Sequence, residues 1–143
     1  MVDVSRDQQL NEALELFFFA YREFTAYPDQ VLRERGLQRV HHRILYFVGR
    51  NPGLAVNELL RTLGVTKQAL NAPLRHLLER GMVASAVGEH DRRSRALTLT
   101  DAGAALEREL SGSQRTQLAA VFADSGVGSE AAWRDVMRRI AAS

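Results

Sequence analysis

The sequence predicts a mainly α-helical fold of about six helices with one small β-hairpin. Near the middle of the chain, one apolar helical pattern ends at Gly64 and a second begins behind Thr66, which is the layout of a helix-turn-helix. Two runs that alternate like paired strands, residues 82–87 and 95–99, then flank a polar and basic tip, residues 88–94. Together these patterns predict a winged helix-turn-helix, with the tip as its wing.

Length and composition predict a single globular domain. The chain has 143 residues, of which 45% are hydrophobic and 25% are charged, enough for one core and too short for two domains of ordinary size. The absence of cysteine excludes disulfides and thiolate metal sites. Because Met1 to Leu10 is polar and no run approaches the roughly 18 apolar residues of a membrane span, we expect a cytoplasmic protein with no membrane partner.

The charge distribution is more informative than the formal net charge of +2. Residues 61–95 carry seven basic and three acidic side chains, a local charge of +4 that leaves −2 for the rest of the chain. A basic segment on a mildly acidic body is typical of a nucleic-acid reader with a separate assembly surface. A merely solvated charged face is the alternative interpretation.

A long amphipathic helix is predicted from Gln8 to about Ala26. Its apolar side chains recur at spacings of four and three residues: Leu10, Leu14, Phe17, Tyr21 and Phe24. We expect Pro28 and Asp29 to end this helix, because the residue before a proline disfavours the helical conformation. The apolar face is broad, and it indicates either an ordinary core stripe or a subunit interface.

A second helix is predicted from about Leu37 to Val48, closed by residues 51–53. His41 and His42 are adjacent on it and therefore point about 100° apart, so they cannot both bind one metal ion from this helix. We interpret them as partly exposed helix residues. The alternative is that one of them lines a ligand cleft or senses pH.

The helix-turn-helix is predicted from its caps and apolar spacing. Gly64 suits the left-handed conformation that ends a third helix, and Thr66 suits the N-cap of a fourth helix from Lys67 to about Arg80. Pro73 lies about seven positions into this fourth helix, where it should kink the helix at residues 69–72 or split it. The apolar positions that should be buried are Val56, Leu59, Leu60, Leu63, Leu70, Leu74, Leu77 and Leu78.

Polar residues on the other side of the fourth helix suit a DNA major groove. Glutamine and asparagine side chains bind adenine, lysine and arginine bind phosphate or guanine, and a helix N-terminus offers free amides to phosphate. In the wing, Asp91 can pair with one arginine and stabilise the tip, which leaves the other arginine for phosphate or a narrow minor groove. The candidate DNA-binding residues are Thr66, Lys67, Gln68, Asn71, Arg75, Arg92 and Arg93, with His76 at the edge of the helical face.

Two more helices are predicted at the end of the chain. Thr100 should cap a helix to about Ala123, and Ser129 should cap a last helix to about Ala142. Broad apolar faces at both ends of the chain favour a dimer interface. We therefore expect residues 1–50 and 101–143 to supply dimerisation helices, and residues 54–99 to form the DNA-binding lobe of a single domain.

The chain resembles the MarR family of winged helix-turn-helix transcriptional regulators across nearly its whole length. The resemblance is carried by five short segments: Glu58-Leu59-Leu60, Leu63-Gly64-Val65-Thr66-Lys67, Leu77-Leu78-Glu79-Arg80-Gly81-Met82-Val83, Asp91-Arg92-Arg93 and Leu97-Thr98-Leu99-Thr100-Asp101-Ala102-Gly103. It implies an obligate homodimer that binds a pseudo-palindromic operator in double-stranded DNA, usually represses, and often responds to a small aromatic acid bound between the dimer interface and the reading head.

Individual positions follow from the same resemblance. Lys67, Gln68 and Asn71 match base- or phosphate-facing sites of the recognition helix, and Asp91 and Arg93 match the acid and arginine of the wing motif. The chain departs from the family pattern at residues 72–73, where Ala72 and Pro73 replace a basic or polar residue followed by an apolar one. A winged-helix module that binds proteins without reading DNA sequence is therefore the alternative function.

Four polar residues on the first two predicted helices are candidates for binding a small effector. Tyr21, His41, His42 and Arg43 could supply polar groups to a cleft near the first two helices, although a core role is equally compatible with their positions.

The sequence contains no motif typical of an enzyme. The histidines lack a spaced carboxylate or thiol partner, and neither a phosphate-binding glycine loop nor a nucleophile motif occurs. We therefore expect no enzyme, no cofactor and no metal site.

Overall fold

The computed structural model describes residues 4–87 and 95–143, and within them it contains six helices and three strands. This confirms the predicted winged helix-turn-helix architecture. The wing tip, with Asp91, Arg92 and Arg93, lies outside the described residues. In chain order the elements are α1 (Val4–Glu34), α2 (Arg39–Arg50), β1 (Leu54–Ala55), α3 (Val56–Leu63), α4 (Lys67–Glu79), β2 (Val83–Val87), β3 (Arg95–Leu99), α5 (Asp101–Asp124) and α6 (Ser129–Ala141).

Helix α1 does not end at Pro28, and the prediction of a helix end there is wrong. A proline within a helix leaves the carbonyl group four residues earlier without its usual N–H donor. Here that group is the carbonyl of Phe24, and the side-chain Nε2 of Gln114 on α5 donates to it at 3.5 Å. Pro28 itself is buried. Packing and a replacement hydrogen bond thus allow α1 to continue to Glu34.

Helix α4 continues through Pro73 without being split. The predicted caps on both sides of the turn are confirmed: Gly64, which ends α3, takes the left-handed conformation with φ 65° and ψ 31°, and at the start of α4 the Ala69 N–H donates to Thr66 Oγ1 at 3.1 Å. Leu70, Leu74 and Leu77 are buried as predicted. The fourth helix is therefore continuous from its cap to Glu79, with Pro73 half-buried on its side.

The wing is part of a three-stranded antiparallel sheet in the order β1-β3-β2. Its hairpin pairs Val83 with Leu99 at one end and Val87 with Arg95 at the other, next to the tip. The short strand β1 was not predicted, since two residues are too few to show alternation; Leu54 pairs with Leu97. Leu97 is buried and central in the sheet, which attaches the hairpin to the helical body.

The caps of the last two helices differ from each other. Thr100 caps α5 as predicted, since its Oγ1 accepts from the Gly103 N–H at 3.1 Å. Ser129 is not the N-cap of α6, and that prediction is wrong. Gly128 occupies the cap position with φ 85°, a conformation that glycine adopts most readily. The Ser129 hydroxyl instead donates to the Ser125 carbonyl at 2.6 Å.

One hydrophobic core joins α3, α4 and the sheet to α1, α2 and α5. Its buried apolar residues come from the end of α1, from α2, α3 and α4, from the sheet, from the first half of α5, and from the segments before α2 and before β2. They are Val31, Leu32, Leu37, Ile44, Leu45, Val48, Leu59, Leu70, Leu74, Leu77, Met82, Val83, Leu97, Leu106 and Leu110. Among the described residues, no helix is long and apolar enough to cross a membrane.

The two ends of the chain contribute nothing to this core. In the described part of α1 no residue before Thr25 is buried, and α6 has no buried residue. Large apolar side chains are exposed there instead, including Leu14 at 70%, Phe18 at 62% and Trp133 at 41%. Exposed apolar surface of this extent is typical of an interaction surface.

Candidate nucleic-acid interface

The exposed face of α4 brings together four of the predicted DNA-binding residues. Lys67, Asn71 and Arg75 are spaced by four residues and so form one row on the helix. All three are exposed, and Gln68 is exposed beside Lys67. The opposite side of α4 is buried in the core, so the helix cannot turn this row away from solvent without losing its apolar packing. The row, together with Gln68, therefore presents two amide and two cationic side chains to solvent.

Thr66 lies at the start of this strip and has a defined structural role. Its Oγ1 accepts a hydrogen bond from the Ala69 N–H, which satisfies one of the free amides in the first turn of the helix. Thr66 is exposed, and its hydroxyl proton can still be donated to an outside acceptor. The same side chain can therefore cap α4 and contact a phosphate.

The sheet holds both ends of the wing tip. Val87 pairs with Arg95 in the last register position before residues 88–94, so the two residues that flank this segment lie side by side. Arg95 is exposed. The roles predicted for Asp91, Arg92 and Arg93 remain predictions, because these residues lie outside the described part of the chain.

The start of α5 is fixed closely against the turn that precedes β2. The Thr100 N–H donates to the Met82 carbonyl at 3.1 Å, and the Thr100 hydroxyl donates to the Gly81 carbonyl. A Cβ atom on Gly103 would lie 1.9 Å from the Met82 carbonyl oxygen, far inside any van der Waals contact. Gly103 thus allows the backbones of α5 and the reading head to approach directly.

A cavity of about 230 Å³ lies between α1, α2 and α5. Its walls combine aromatic rings with a few polar and charged groups, a composition typical of small-molecule sites. Three of the four predicted effector residues line it, namely Tyr21, His42 and Arg43. The other lining residues are Phe24, Thr25, Pro28, Asp29, Arg39, Tyr46, Phe47 and Gln114.

An ion pair between Asp29 and Arg39 fixes one side of the cavity. Arg39 Nε lies 3.0 Å from Asp29 Oδ1, and Arg39 Nη2 lies 2.7 Å from Asp29 Oδ2. The hydrogen bond from Arg39 lowers the pKa of Asp29, and the same bond raises the pKa of Arg39. The Arg39 guanidinium also lies 5.3 Å from the centre of the Tyr21 ring. The charge of Arg39 is therefore already compensated within the protein.

His42 and Arg43 present different chemistry to the cavity. His42 Nε2 forms a 2.9 Å hydrogen bond with the buried Ser111 hydroxyl, and burial lowers the pKa of His42, so the ring is neutral near pH 7. Arg43 is exposed and forms no salt bridge within residues 4–87 and 95–143. Among the described residues, Arg43 is thus the cavity arginine without an ion-pair partner.

His41 lies away from the cavity, and the prediction that it is partly exposed is wrong. It is 8% exposed, because α2 turns this side toward α4. The Gln38 N–H donates to His41 Nδ1 at 2.9 Å, which satisfies an amide at the start of α2. The ring also faces His76 of α4, with 5.4 Å between the ring centres. The structure therefore separates His41 from the other three effector candidates.

Sequence reasoning did not identify Thr25, Asp29 or Arg39 as cavity residues. The expectation that Pro28 ends α1 concealed Asp29, because a residue beyond the helix end could not be assigned to a face. Thr25 and Arg39 lay within predicted helices, but the contacts of Arg39 with Thr25 and Asp29 across α1 and α2 were not visible in the sequence. In a continuous helix, Tyr21, Thr25 and Asp29 are spaced by four residues and must share one side. That spacing was the signal available in the sequence.

The sequence is similar to known transcriptional regulators. A family model described as the MarR family matches residues 35–94. The HTH-type transcriptional regulator PetP of Rhodobacter capsulatus is 48% identical over 131 residues, which cover 92% of this chain and 79% of PetP.

Solved structures of the same family share the fold. A complex of MepR from S. aureus with DNA has a TM-score of 0.70 and 17% sequence identity, covering 90% of this chain and 95% of MepR. PcaV from Streptomyces coelicolor, in complex with its natural ligand, has a TM-score of 0.69 and 20% identity, covering 100% of this chain and 99% of PcaV. At these identities the similarity concerns the fold alone.

Proposed function

The chain belongs to the MarR family of transcriptional regulators, and from this premise we propose that it binds a pseudo-palindromic DNA operator as a homodimer and represses transcription until a small acidic effector binds. The observation that carries the proposal is the exposed row Lys67, Asn71 and Arg75 on α4, with Gln68 beside it. Amide side chains bind base edges and cationic side chains bind phosphate or guanine. Their fixed outward orientation suits a helix inserted into the major groove.

The exposed apolar ends of the chain support the homodimer. Leu14 and Phe18 on α1 and Trp133 on α6 are large, exposed and remote from the core described above. A second copy of the chain would cover these side chains and place two reading helices on one duplex. Half-sites about one helical turn apart, roughly 10 base pairs, are then expected.

Selection of bound fragments from genomic DNA tests the proposal. A regulator enriches a palindromic sequence, whereas a winged-helix module that binds proteins enriches no sequence above random fragments. Pro73 is the feature that favours the module, since it interrupts the hydrogen bonding of the reading helix. The continuous helix from Lys67 to Glu79 supports the regulator.

The wing arginines provide a prediction about salt dependence. Replacing Arg92 and Arg93 with alanine should weaken binding to all DNA sequences, because these residues are proposed to bind phosphates. The slope of log Kd against log salt concentration should fall by about 0.9 for each phosphate that the variant no longer neutralises. Titrations at several salt concentrations measure it, with Arg108→Ala on α5 as a control for loss of positive charge. An unchanged slope would contradict the wing assignment.

The cavity between α1, α2 and α5 is the proposed effector site. Aromatic side chains from Tyr21, Tyr46 and Phe47 can pack against a planar ring, and Arg43 offers a charge that no described residue compensates. Arg39 is a weaker candidate for the ligand charge because Asp29 already binds it. A small aromatic carboxylate paired with Arg43 fits these groups.

Replacing Arg43 with alanine should weaken the binding of small aromatic carboxylates about tenfold, since a hydrogen bond to a charged group is removed. The shift in melting temperature with ligand concentration measures the affinity. The corresponding aromatic amides should bind wild type and variant equally, and Arg50→Ala, on the same helix outside the cavity, should behave as wild type. Equal carboxylate affinity in the Arg43 variant would exclude Arg43 as the charge partner.

A further inference from the structure

Two facing histidines lie where the reading helix docks on the body. His41 of α2 and His76 of α4 have their ring centres 5.4 Å apart. An open groove of about 360 Å³ runs beside them, and its lining includes Ala72 and Pro73, the two residues that depart from the family pattern. Most of the exposed row of α4 precedes His76 in the chain. A change in the packing of α4 on α2 at these histidines therefore alters how the row is positioned.

The geometry at His41 specifies its protonation state. Because the Gln38 N–H donates to Nδ1 at 2.9 Å, Nδ1 must carry a lone pair, and the neutral ring has its proton on Nε2. An added proton has to go to Nδ1. Protonation of His41 therefore breaks this bond at the start of α2, and it places a positive charge at a helix N-terminus, where the helix dipole opposes it.

His76 faces His41 and carries a ring nitrogen that has no hydrogen-bond partner within the described residues. This atom, Nε2, is buried. Arg80, at the C-cap of α4, is a positive charge near this contact, and its guanidinium donates to the Arg35 carbonyl. The Arg35 side chain is paired with Glu109 of α5 at 3.6 Å. A positive charge on His41 is therefore opposed by Arg80.

We propose that the contact between His41 and His76 is a proton-sensitive latch: the neutral His41 ring, packed against His76, holds α4 on the body, and protonation of His41 at mildly acidic pH loosens α4 and weakens DNA binding. This regulation rests on the proposed function, since it acts through the DNA-reading helix. The groove beside the rings gives water access to the contact. Ala72 and Pro73, where the chain departs from the family pattern, line that groove.

The direction of the pH effect follows from linkage. Burial lowers the pKa of His41, and the neighbouring His76 and Arg80 lower it further. The state in which α4 packs against His41 thus favours the neutral ring. The stability of this packing is fully present above the ordinary histidine pKa of about 6.5, and it is lost as the pH falls below that value. An ordinary gain of positive charge near DNA would instead strengthen binding in acid.

Operator affinity measured from about pH 7.5 to about pH 5.5 at constant ionic strength tests the latch. Wild-type affinity should fall about tenfold. This corresponds to a His41 pKa that is about one unit lower when α4 is packed against it than when α4 is loosened. His41→Asn, which removes the titrating ring and keeps an acceptor for the Gln38 N–H, should abolish this dependence. His76→Phe, which keeps a ring against His41, should reduce it, because His76 lowers the pKa of His41. Arg50→Ala, at an exposed position of α2, should retain the wild-type dependence.

Amide hydrogen exchange of the DNA-free protein tests the latch without relying on DNA binding. After correction for the intrinsic pH dependence of exchange, protection of α4 amides should decrease over the same pH range in wild type and stay constant in His41→Asn. A protein that binds no DNA at any pH would refute the proposed function, and exchange would still decide the latch. Wild-type affinity that rises in acid, or a His41→Asn variant with the wild-type pH dependence, would overturn the latch.

Discussion

Replacing Gly103 with alanine is expected to destabilise the fold by roughly 3 kcal/mol or more, toward the upper end of overpacking effects. The added Cβ would lie 1.9 Å from the carbonyl oxygen and 2.9 Å from the carbonyl carbon of Met82. Neither atom belongs to a flexible side chain, so α5 and the turn before β2 must separate. That separation breaks the hydrogen bond from the Thr100 N–H to the Met82 carbonyl.

Thermal unfolding at equal protein concentration measures this effect, and the melting temperature should fall by about 10 °C. Gly112→Ala is the matched control on the same helix. A Cβ there would meet only the Arg115 side chain, at 3.9 Å, so the higher helix propensity of alanine should stabilise the protein by about 0.5–1 kcal/mol. A Gly103→Ala variant that melts at or above the wild-type temperature would show that the two backbones do not approach so closely.

The second large effect is expected from the amide side chains of α4. Replacing both Gln68 and Asn71 with alanine should reduce affinity for the operator about a hundredfold, since each good contact to a base discriminates by about 1–3 kcal/mol. Both residues are exposed, so the fold should be unaffected. Lys67 and Arg75 remain in this variant. Its affinity for unrelated DNA at low salt should therefore stay close to that of wild type.

Competition binding with operator and unrelated duplexes gives both affinities in one experiment. Gln30→Ala, which removes an exposed amide from α1, should leave both unchanged. An equal loss of affinity for operator and unrelated DNA in the double variant would mean that the amides contact the phosphate backbone rather than bases.

The parts of the fold that sequence could predict are those specified by local chemistry. Gly64 and Thr66 act through their own backbone conformation and the next turn of helix, so the helix-turn-helix could be located from adjacent residues alone. The same holds for Thr100 at the start of α5. Alternation in β3 likewise depends on one short segment, with Leu97 buried and Thr98 exposed.

The parts that sequence could not predict depend on residues far apart in the chain. Helix α1 passes Pro28 because Gln114, 90 residues beyond Phe24, supplies a hydrogen bond. Strand β1 exists because Leu54 finds Leu97 as its partner. His41 is buried because α4 packs over it, which its position on α2 alone does not specify. In each case a tertiary contact decides the outcome that local preferences leave open.

The same distinction applies to the candidate site. The exposed row on α4 could be predicted because helical spacing determines which residues share a face. The cavity could be predicted only in part, since Asp29 and Arg39 become neighbours through the packing of α1 on α2. The sequence named Arg43 as a candidate, but it did not indicate that Arg39 also lines the cavity with its charge paired to Asp29.

Parallel selection of random DNA sequences by wild type and the Gln68→Ala/Asn71→Ala variant tests most directly whether α4 reads DNA sequence. Wild type should enrich a palindrome with half-sites about 10 base pairs apart, and the variant should no longer select the preferred bases within each half-site while still binding DNA. The same palindrome recovered by both proteins, or no enriched sequence with wild type, would contradict sequence reading by α4.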